Sequence, residues 1–139
     1  MTKALVIHGD AGRVAAWTAA LQSRTEIVWA GSTDRGRHER SIFVNGMRDF
    51  EFIAISIHVP RWEEYVNELR ANTPMPPIVG VVETVGTGHG SKGKFDFCCA
   101  ENDFVDKVFY LMDKFFEDLL REHYPRHFEA LNELLEPSS

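Results

Sequence analysis

Five short apolar runs alternate with helical patterns along this chain, and that alternation constrains its fold more than any other feature. The runs are apolar almost throughout, as strands covered on both faces should be. Apolar strands separated by helices predict a parallel sheet with helices on both of its faces. Five such units most often form the flavodoxin-like three-layer sandwich, an α/β fold with strand order 2-1-3-4-5. The predicted strands span residues 4–8, 25–30, 50–57, 78–82 and 95–100.

The clearest helical patterns follow the first, third and fifth of these runs. They predict helices over residues 11–23, 60–70 and 102–124, because apolar residues recur in them at spacings of three and four. A proline suits the first turn of the middle helix. Asn102 or Asp103 is the natural cap of the long last helix.

The other connections are less regular. Residues 31–36 are predicted to be a loop, and residues 37–48 have a weak helical stripe because an Asn-Gly pair would lie inside it. Residues 83–94 are a glycine-rich connection in which a short helix is only weakly signalled. The predicted organisation is one domain over residues 1–124 and, after a proline, a C-terminal extension over 125–139 with a short amphipathic helix.

Composition limits the partners that this chain is expected to bind. A length of 139 residues predicts a single domain, and a formal charge of −6 argues against nucleic acid as a partner. No apolar run is long enough for a membrane span, and the N-terminus enters a strand pattern rather than a signal peptide, so a cytoplasmic protein is expected. The two cysteines, Cys98 and Cys99, are adjacent in a strand. They are therefore predicted to point to opposite faces as free, buried thiols.

The third apolar run resembles a known family. The stretch Phe52 to Pro60 is similar to the third strand of response-regulator receiver domains, which usually ends Asp-Ile-Met-Leu-Pro. Ser56 then stands where that family carries its phosphate-accepting aspartate. A second stretch, Leu69 to Val82, resembles the family's third helix, its proline-bearing turn and its fourth strand. The likeness covers about residues 3–123 and implies the five-stranded receiver fold.

The resemblance also implies that the phosphorylation chemistry is lost. An active receiver needs an acidic pair for Mg²⁺, an aspartate nucleophile, a hydroxyl and a lysine. The acidic pair falls on Gly9 and Asp10, or on His8 and Gly9 if the alignment slips by one residue. A second alternative is a functional receiver in which Asp10 or Asp49 accepts the phosphate. Asp49 is the weaker candidate, because it lies at the start of its strand, opposite to the expected site. The degenerate chain is therefore expected to be a pseudo-receiver that is not an enzyme and uses no metal or cofactor. The positions of the machinery are occupied by Gly9, Asp10, Ser56, Val82 and Ala100.

Several polar residues are predicted to lie at the carboxyl edge of the sheet, where open α/β sheets bind ligands. Imidazole and carboxylate could bind a metal there, or a histidine could activate the serine, so a small α/β enzyme or a nucleotide- or ligand-binding protein is the alternative function. The alternative without a function at this edge is that these side chains only form hydrogen bonds with the backbone of nearby loops. The candidate crevice comprises His8, Asp10, Ser56, His58 and Glu83.

The last long helix has more aromatic residues than packing on one sheet face requires. Most of them are expected to be core, and the remainder suggest a contact with a protein partner in a two-component signalling pathway, or a homodimer through the C-terminal helices. The resemblance implies a partner surface on the fourth helix, fifth strand and fifth helix. Here that surface would include Phe97, Asp106, Lys107, Tyr110, Phe128 and Leu131.

Overall fold

The computed structural model describes residues 2–45, 49–71, 76–83 and 94–123. In these residues, five parallel strands form one sheet in the order β2-β1-β3-β4-β5, which confirms the predicted flavodoxin-like fold. Residues 84–93 of the glycine-rich connection and the predicted extension over 125–139, with Phe128 and Leu131, lie outside the described residues. The elements are β1 (Thr2–Ile7), α1 (Ala11–Leu21), β2 (Thr25–Ala30), α2 (Thr33–Asn45), β3 (Ile53–Ser56), α3 (Trp62–Ala71), β4 (Ile78–Val82), β5 (Phe97–Ala100) and α4 (Phe104–His123).

The sheet is covered on both faces because successive strand residues point to opposite sides. On one face, Val6 packs with Trp17 of α1 and Phe104 of α4 in a single apolar cluster. On the other face, Ile7 belongs to a second cluster with Leu69 of α3. The two clusters give the three layers that the apolar strands predicted.

The predicted loop at residues 31–36 was wrong, because α2 already begins at Thr33. The Ser32 hydroxyl accepts a hydrogen bond from the backbone N–H of Arg35 at 3.1 Å and so caps the helix. Gly36 does not break α2. A Cβ atom there would lie 2.6 Å from Cδ1 of Ile7, so the glycine permits close packing of α2 on the sheet.

The third helix begins at Trp62 rather than at Pro60. The cause lies in Arg61, whose φ of 64° is left-handed and cannot belong to a right-handed helix. The Arg61 carbonyl still accepts the N–H of Tyr65 at 3.2 Å, which fits a residue that immediately precedes the helix.

The fifth strand begins at Phe97, two residues later than predicted. Phe95 instead lies over Gly80 of β4 and stacks on Trp62 with ring centroids 5.2 Å apart. Asp96 accepts the N–H of Ile78 at 2.7 Å through its side chain, so its carboxylate is tied to the start of β4. The third strand is likewise shorter than predicted, beginning at Ile53 and ending at Ser56, and α1 ends two residues early, at Leu21.

The long helix α4 follows a single 3₁₀ turn over Glu101–Asp103, so neither Asn102 nor Asp103 is an isolated cap. Both cysteines are free thiols and pack into clusters on opposite faces, as predicted, but only Cys99 is buried, whereas Cys98 is partly exposed. Burial raises the pKa of Cys99 to about 12. Among the described helices, none combines the length and apolar character that crossing a membrane requires.

Candidate functional site

The carboxyl edge of the sheet brings together polar residues from four strands. His8 follows β1, Ser56 ends β3, Glu83 follows β4 and Glu101 follows β5. Because all the strands are parallel, these residues leave the sheet at the same side. This is the edge at which a receiver of the resembled family would bind Mg²⁺ and phosphate.

His8 is 5% exposed, and both of its ring nitrogens are hydrogen-bonded. Nδ1 accepts the backbone N–H of Asp10 at 2.9 Å, so the neutral ring carries its proton on Nε2. Nε2 lies 2.6 Å from Oε1 of Glu101 and donates to that carboxylate. The ring edge meets Trp17, with centroids 5.4 Å apart. No ring nitrogen is left to bind a metal or to take a proton from a nucleophile.

Glu101 is the residue at this edge that the sequence analysis did not include among its candidates. Its second oxygen lies 3.6 Å from the guanidinium of Arg13, which also donates to Oδ1 of Asn102 at 3.2 Å. The carboxylate therefore joins the end of β1, the first turn of α1 and the turn before α4. No spacing in the sequence indicates this pairing, because two other strands separate β1 from β5 in the sheet.

The predicted acidic pair is not a pair of carboxylates in the structure. Gly9 has no side chain, and Asp10 is the N-cap of α1, where its Oδ1 accepts the N–H of Arg13 at 3.0 Å. An aspartate in that position is stabilising because the helix N-terminus carries unpaired N–H groups and a partial positive charge. The carboxylate thus acts locally, on the backbone of its own helix.

Ser56 is 1% exposed and does not present its hydroxyl to solvent. Its Oγ accepts the backbone N–H of His58 at 3.2 Å, and its carbonyl accepts the N–H of Val59 at 3.1 Å, so it closes the turn after β3. The His58 ring does not activate the serine. Its Nε2 lies 3.1 Å from Oε1 of Glu83 in a solvent-exposed contact.

The two remaining positions of the resembled machinery carry no polar side chain. Val82 is buried at the end of β4, and its partner in the β-ladder is Ala100 of β5. In the part of the chain that is described, no three His, Cys, Asp or Glu side chains are grouped so that they could hold a metal ion. The described candidates therefore meet as pairs, His8 with Glu101 and His58 with Glu83.

The described part of the predicted partner surface lies on α4 and β5. Asp106, Lys107 and Tyr110 are exposed on the helix. Phe97 is partly buried and faces Phe115, with ring centroids 6.0 Å apart. These positions are compatible with a contact surface, and the geometry alone assigns it no partner.

No protein-family model matches the sequence, and no curated protein matches it. Solved structures do resemble it. The receiver domain of a response regulator (CheY-like) from Methylobacillus flagellatus is 16% identical with a TM-score of 0.64, covering 83% of this chain and 98% of that chain.

Two further solved structures concern the response regulator protein TrrA. A chain from the complex of histidine kinase ThkA with TrrA is 15% identical with a TM-score of 0.66, covering 83% of this chain and 98% of that chain. TrrA from Thermotoga maritima in complex with Mg²⁺-BeF is 14% identical with a TM-score of 0.63, covering 83% and 99%. At these identities the likeness establishes the fold: the chain has the receiver fold.

Proposed function

We propose that this chain is a pseudo-receiver: a signalling module with the receiver fold that contacts a protein partner and does not accept phosphate. The observation that carries the proposal is the hydrogen bond of 2.6 Å between His8 and Glu101. In the resembled family, the end of the first strand supplies acids and the end of the fifth supplies a lysine. Here the first supplies an imidazole, and the fifth ends in Ala100 followed by a carboxylate.

The electrostatics of this edge support the absence of phosphotransfer. Mg²⁺ takes oxygen ligands and is usually held by one or two carboxylates together with phosphate oxygens. Glu101 is already engaged by His8 and faces Arg13, and Asp10 caps its own helix. A cation would have to displace these contacts before it could bind.

The residues at the positions of the nucleophile, the hydroxyl and the lysine are also unsuited to phosphotransfer. The Ser56 hydroxyl is buried and has neither the charge nor the basicity of an aspartate. Val82 and Ala100 offer no hydroxyl or ammonium group to a transferred phosphoryl group. Likewise, the full use of the His8 nitrogens gives no support to a hydrolytic or metal-dependent enzyme.

Binding to a protein partner is the function that we propose for such a module. TrrA, which has the same fold, is described in a complex with histidine kinase ThkA. By analogy, we propose that this chain acts in a two-component type of pathway through a protein contact. A homodimer through α4 and the extension 125–139 is the alternative assembly. Light scattering of the full chain and of its Phe128→Ser and Leu131→Ser variants distinguishes the two.

The phosphorylation part of the proposal is tested with acetyl phosphate and with beryllofluoride, each in the presence of Mg²⁺. Intact mass should show no added phosphoryl group, and backbone amide shifts near His8 and Ser56 should not change. TrrA, solved with Mg²⁺-BeF, is the positive control. A stoichiometric mass gain, or saturable shifts at those residues, would refute the proposal.

The Ser56→Asp variant makes this test sharper. It restores the nucleophile alone, while the acidic pair, the hydroxyl and the lysine stay absent. We expect Ser56→Asp to remain unphosphorylated under conditions that label TrrA fully. Phosphorylation of that variant would mean that His8 and Glu101 do not keep Mg²⁺ out of the site.

A further inference from the structure

The described residues leave apolar surface exposed on the C-terminal half of α4. The helix has 20 residues and is about 30 Å long, whereas the longest strands have six residues and span about 20 Å. Along α4, Phe104 and Met112 are buried, but Phe116 is 44% and Leu120 is 39% exposed. The last turns of the helix therefore extend beyond the sheet at its amino edge, opposite to the His8–Glu101 pair.

Phe116 and Leu120 lie side by side, because residues four apart share one face of a helix. We call these two residues the α4 ridge. Seven residues before Phe116, on the same side, Phe109 is buried under the guanidinium of Arg24 at 3.8 Å from the ring centroid. The ridge thus continues a stripe that is covered near the sheet and open beyond it. Adjacent exposed apolar side chains on one helix face are typical of a contact site.

Acidic residues border the α4 ridge on its outer side. Asp113 precedes Phe116 by three residues and Leu120 by seven, and Glu117 precedes Leu120 by three, so both carboxylates are neighbours of the ridge. Both are exposed. Among the described residues, Arg121 reaches this border, since its guanidinium lies 3.1 Å from the carboxylate of Glu117. Lys114, two residues from Phe116, faces another side of the helix.

The charge of this border selects among the occupants that an apolar ridge can take. A second copy of this chain would bring a further formal charge of −6 to the contact, so overall charge repulsion opposes a homodimer there. An anionic lipid surface would be repelled in the same way. A helix that carries Lys or Arg beside its apolar residues could cover the ridge and also pair with the acidic border.

We propose that the α4 ridge docks a basic amphipathic helix of another protein. This inference rests on the proposed function, because it names the chemistry of the partner of that module. The apolar side chains of the partner would cover Phe116 and Leu120, and its cations would lie against Asp113 and Glu117. The site is remote from the carboxyl edge, so the partner contact does not depend on the chemistry there.

The test uses the full chain and two labelled synthetic peptides of equal length, one built of Leu and Lys and one of Leu and Glu in the same amphipathic order. Fluorescence anisotropy at about 0.15 M salt, where charges farther apart than about 8 Å are largely screened, measures affinity. The Leu-Lys peptide should bind with amide shifts confined to the C-terminal half of α4, and the Leu-Glu peptide should not. Phe116→Ser and Leu120→Ser should each weaken binding about tenfold.

Matched variants separate a ridge contact from general attraction to an acidic protein. Ile42→Ser removes an exposed apolar side chain from α2 and should leave the affinity unchanged. Asp113→Lys should weaken binding of the Leu-Lys peptide and strengthen binding of the Leu-Glu peptide. Equal effects of Ile42→Ser and Phe116→Ser, or equal binding of both peptides, would overturn the proposal, as would no binding at all.

Two further outcomes keep this proposal distinct from the one on which it rests. A concentration-dependent dimer of the full chain that Phe116→Ser abolishes would show that a second copy occupies the ridge, and would overturn the basic-helix proposal. Phosphorylation by acetyl phosphate would overturn the pseudo-receiver proposal while leaving the peptide result as it stands. The two failures are therefore observed in different experiments.

Discussion

The hydrogen bond between His8 and Glu101 should stabilise the fold measurably, and a double-mutant cycle can isolate it. Glu101→Ala leaves the Nε2–H of a histidine that is 5% exposed without an acceptor, which costs about 1–3 kcal/mol. His8→Phe keeps a ring beside Trp17 but leaves a carboxylate that is 17% exposed with only Arg13 nearby. Because the bond has a charged acceptor, the coupling energy should be about 1.5–3 kcal/mol.

Urea unfolding of the wild type, the two single variants and the double variant gives this coupling. The slopes of unfolding free energy against urea should agree, so that the midpoints report stability alone. The two single losses should add up to more than the loss in the double variant, and the difference is the coupling energy. For a chain of this size, each kcal/mol should also move the melting temperature by about 4 °C.

The His58–Glu83 pair is the internal control for this cycle. Its nitrogen and oxygen lie 3.1 Å apart, but its side chains are 56% and 67% exposed, so solvent screens the charges. The same cycle on this pair should give about 0.5 kcal/mol or less. If His8 and Glu101 coupled no more strongly than His58 and Glu83, the argument that burial makes their bond a structural link would be wrong.

Four further variants test the packing and the buried polar groups. In urea unfolding, Gly80→Ala should lower the unfolding free energy by about 1–3 kcal/mol, because the new Cβ would lie 2.3 Å from the Phe95 ring. Gly9→Ala is the control: the space around Gly9 is open, so the unfolding free energy should change by less than about 1 kcal/mol. Tyr65→Phe should raise the unfolding free energy by about 1 kcal/mol, since the buried Tyr65 hydroxyl meets no partner in the described residues, and an unchanged or lower value would refute this. Burial raises the pKa of Tyr65 from 10.0 to about 12, so the unfolded phenol ionises first and stability should fall as pH rises through that window, less steeply in Tyr65→Phe. Burial likewise raises the pKa of Cys99 from 9.0 to about 12, so Cys99→Ala should reduce the loss of stability above pH 9 in the same titration.

Much of the fold could be predicted because buried parallel strands are apolar runs that need no knowledge of their neighbours. The bounds of β2 and β4 were predicted to the residue, and the strand order followed from the usual arrangement of five such units. The prediction failed where a residue's role depends on what approaches it in space. Gly36 was read as part of a loop, but its lack of a side chain serves the contact of α2 with Ile7.

For the candidate site, the sequence shows which residue stands at each strand end, but not which of these residues meet in the fold. Ser56 at the end of the third strand is visible in the sequence, and its burial follows from the apolar run around it. The contact between His8 and Glu101 is not visible in the sequence, since the two residues are 93 positions apart and follow strands that are not adjacent. The Glu101 side chain reaches His8 only because the turn before α4 brings it across the edge of the sheet.

The His8–Glu101 hydrogen bond ties the ends of β1 and β5 together at this edge. In the resembled family, acids after the first strand repel one another until a cation binds, and a lysine after the fifth strand approaches them. Here a proton donor follows β1 and a carboxylate follows β5, so the same two strand ends are joined with the roles of donor and acceptor exchanged. The donor and the acceptor that join these two strand ends are both supplied by the chain itself. On the pseudo-receiver proposal a partner acts through another surface, and the α4 ridge is where the described residues leave apolar surface open for one.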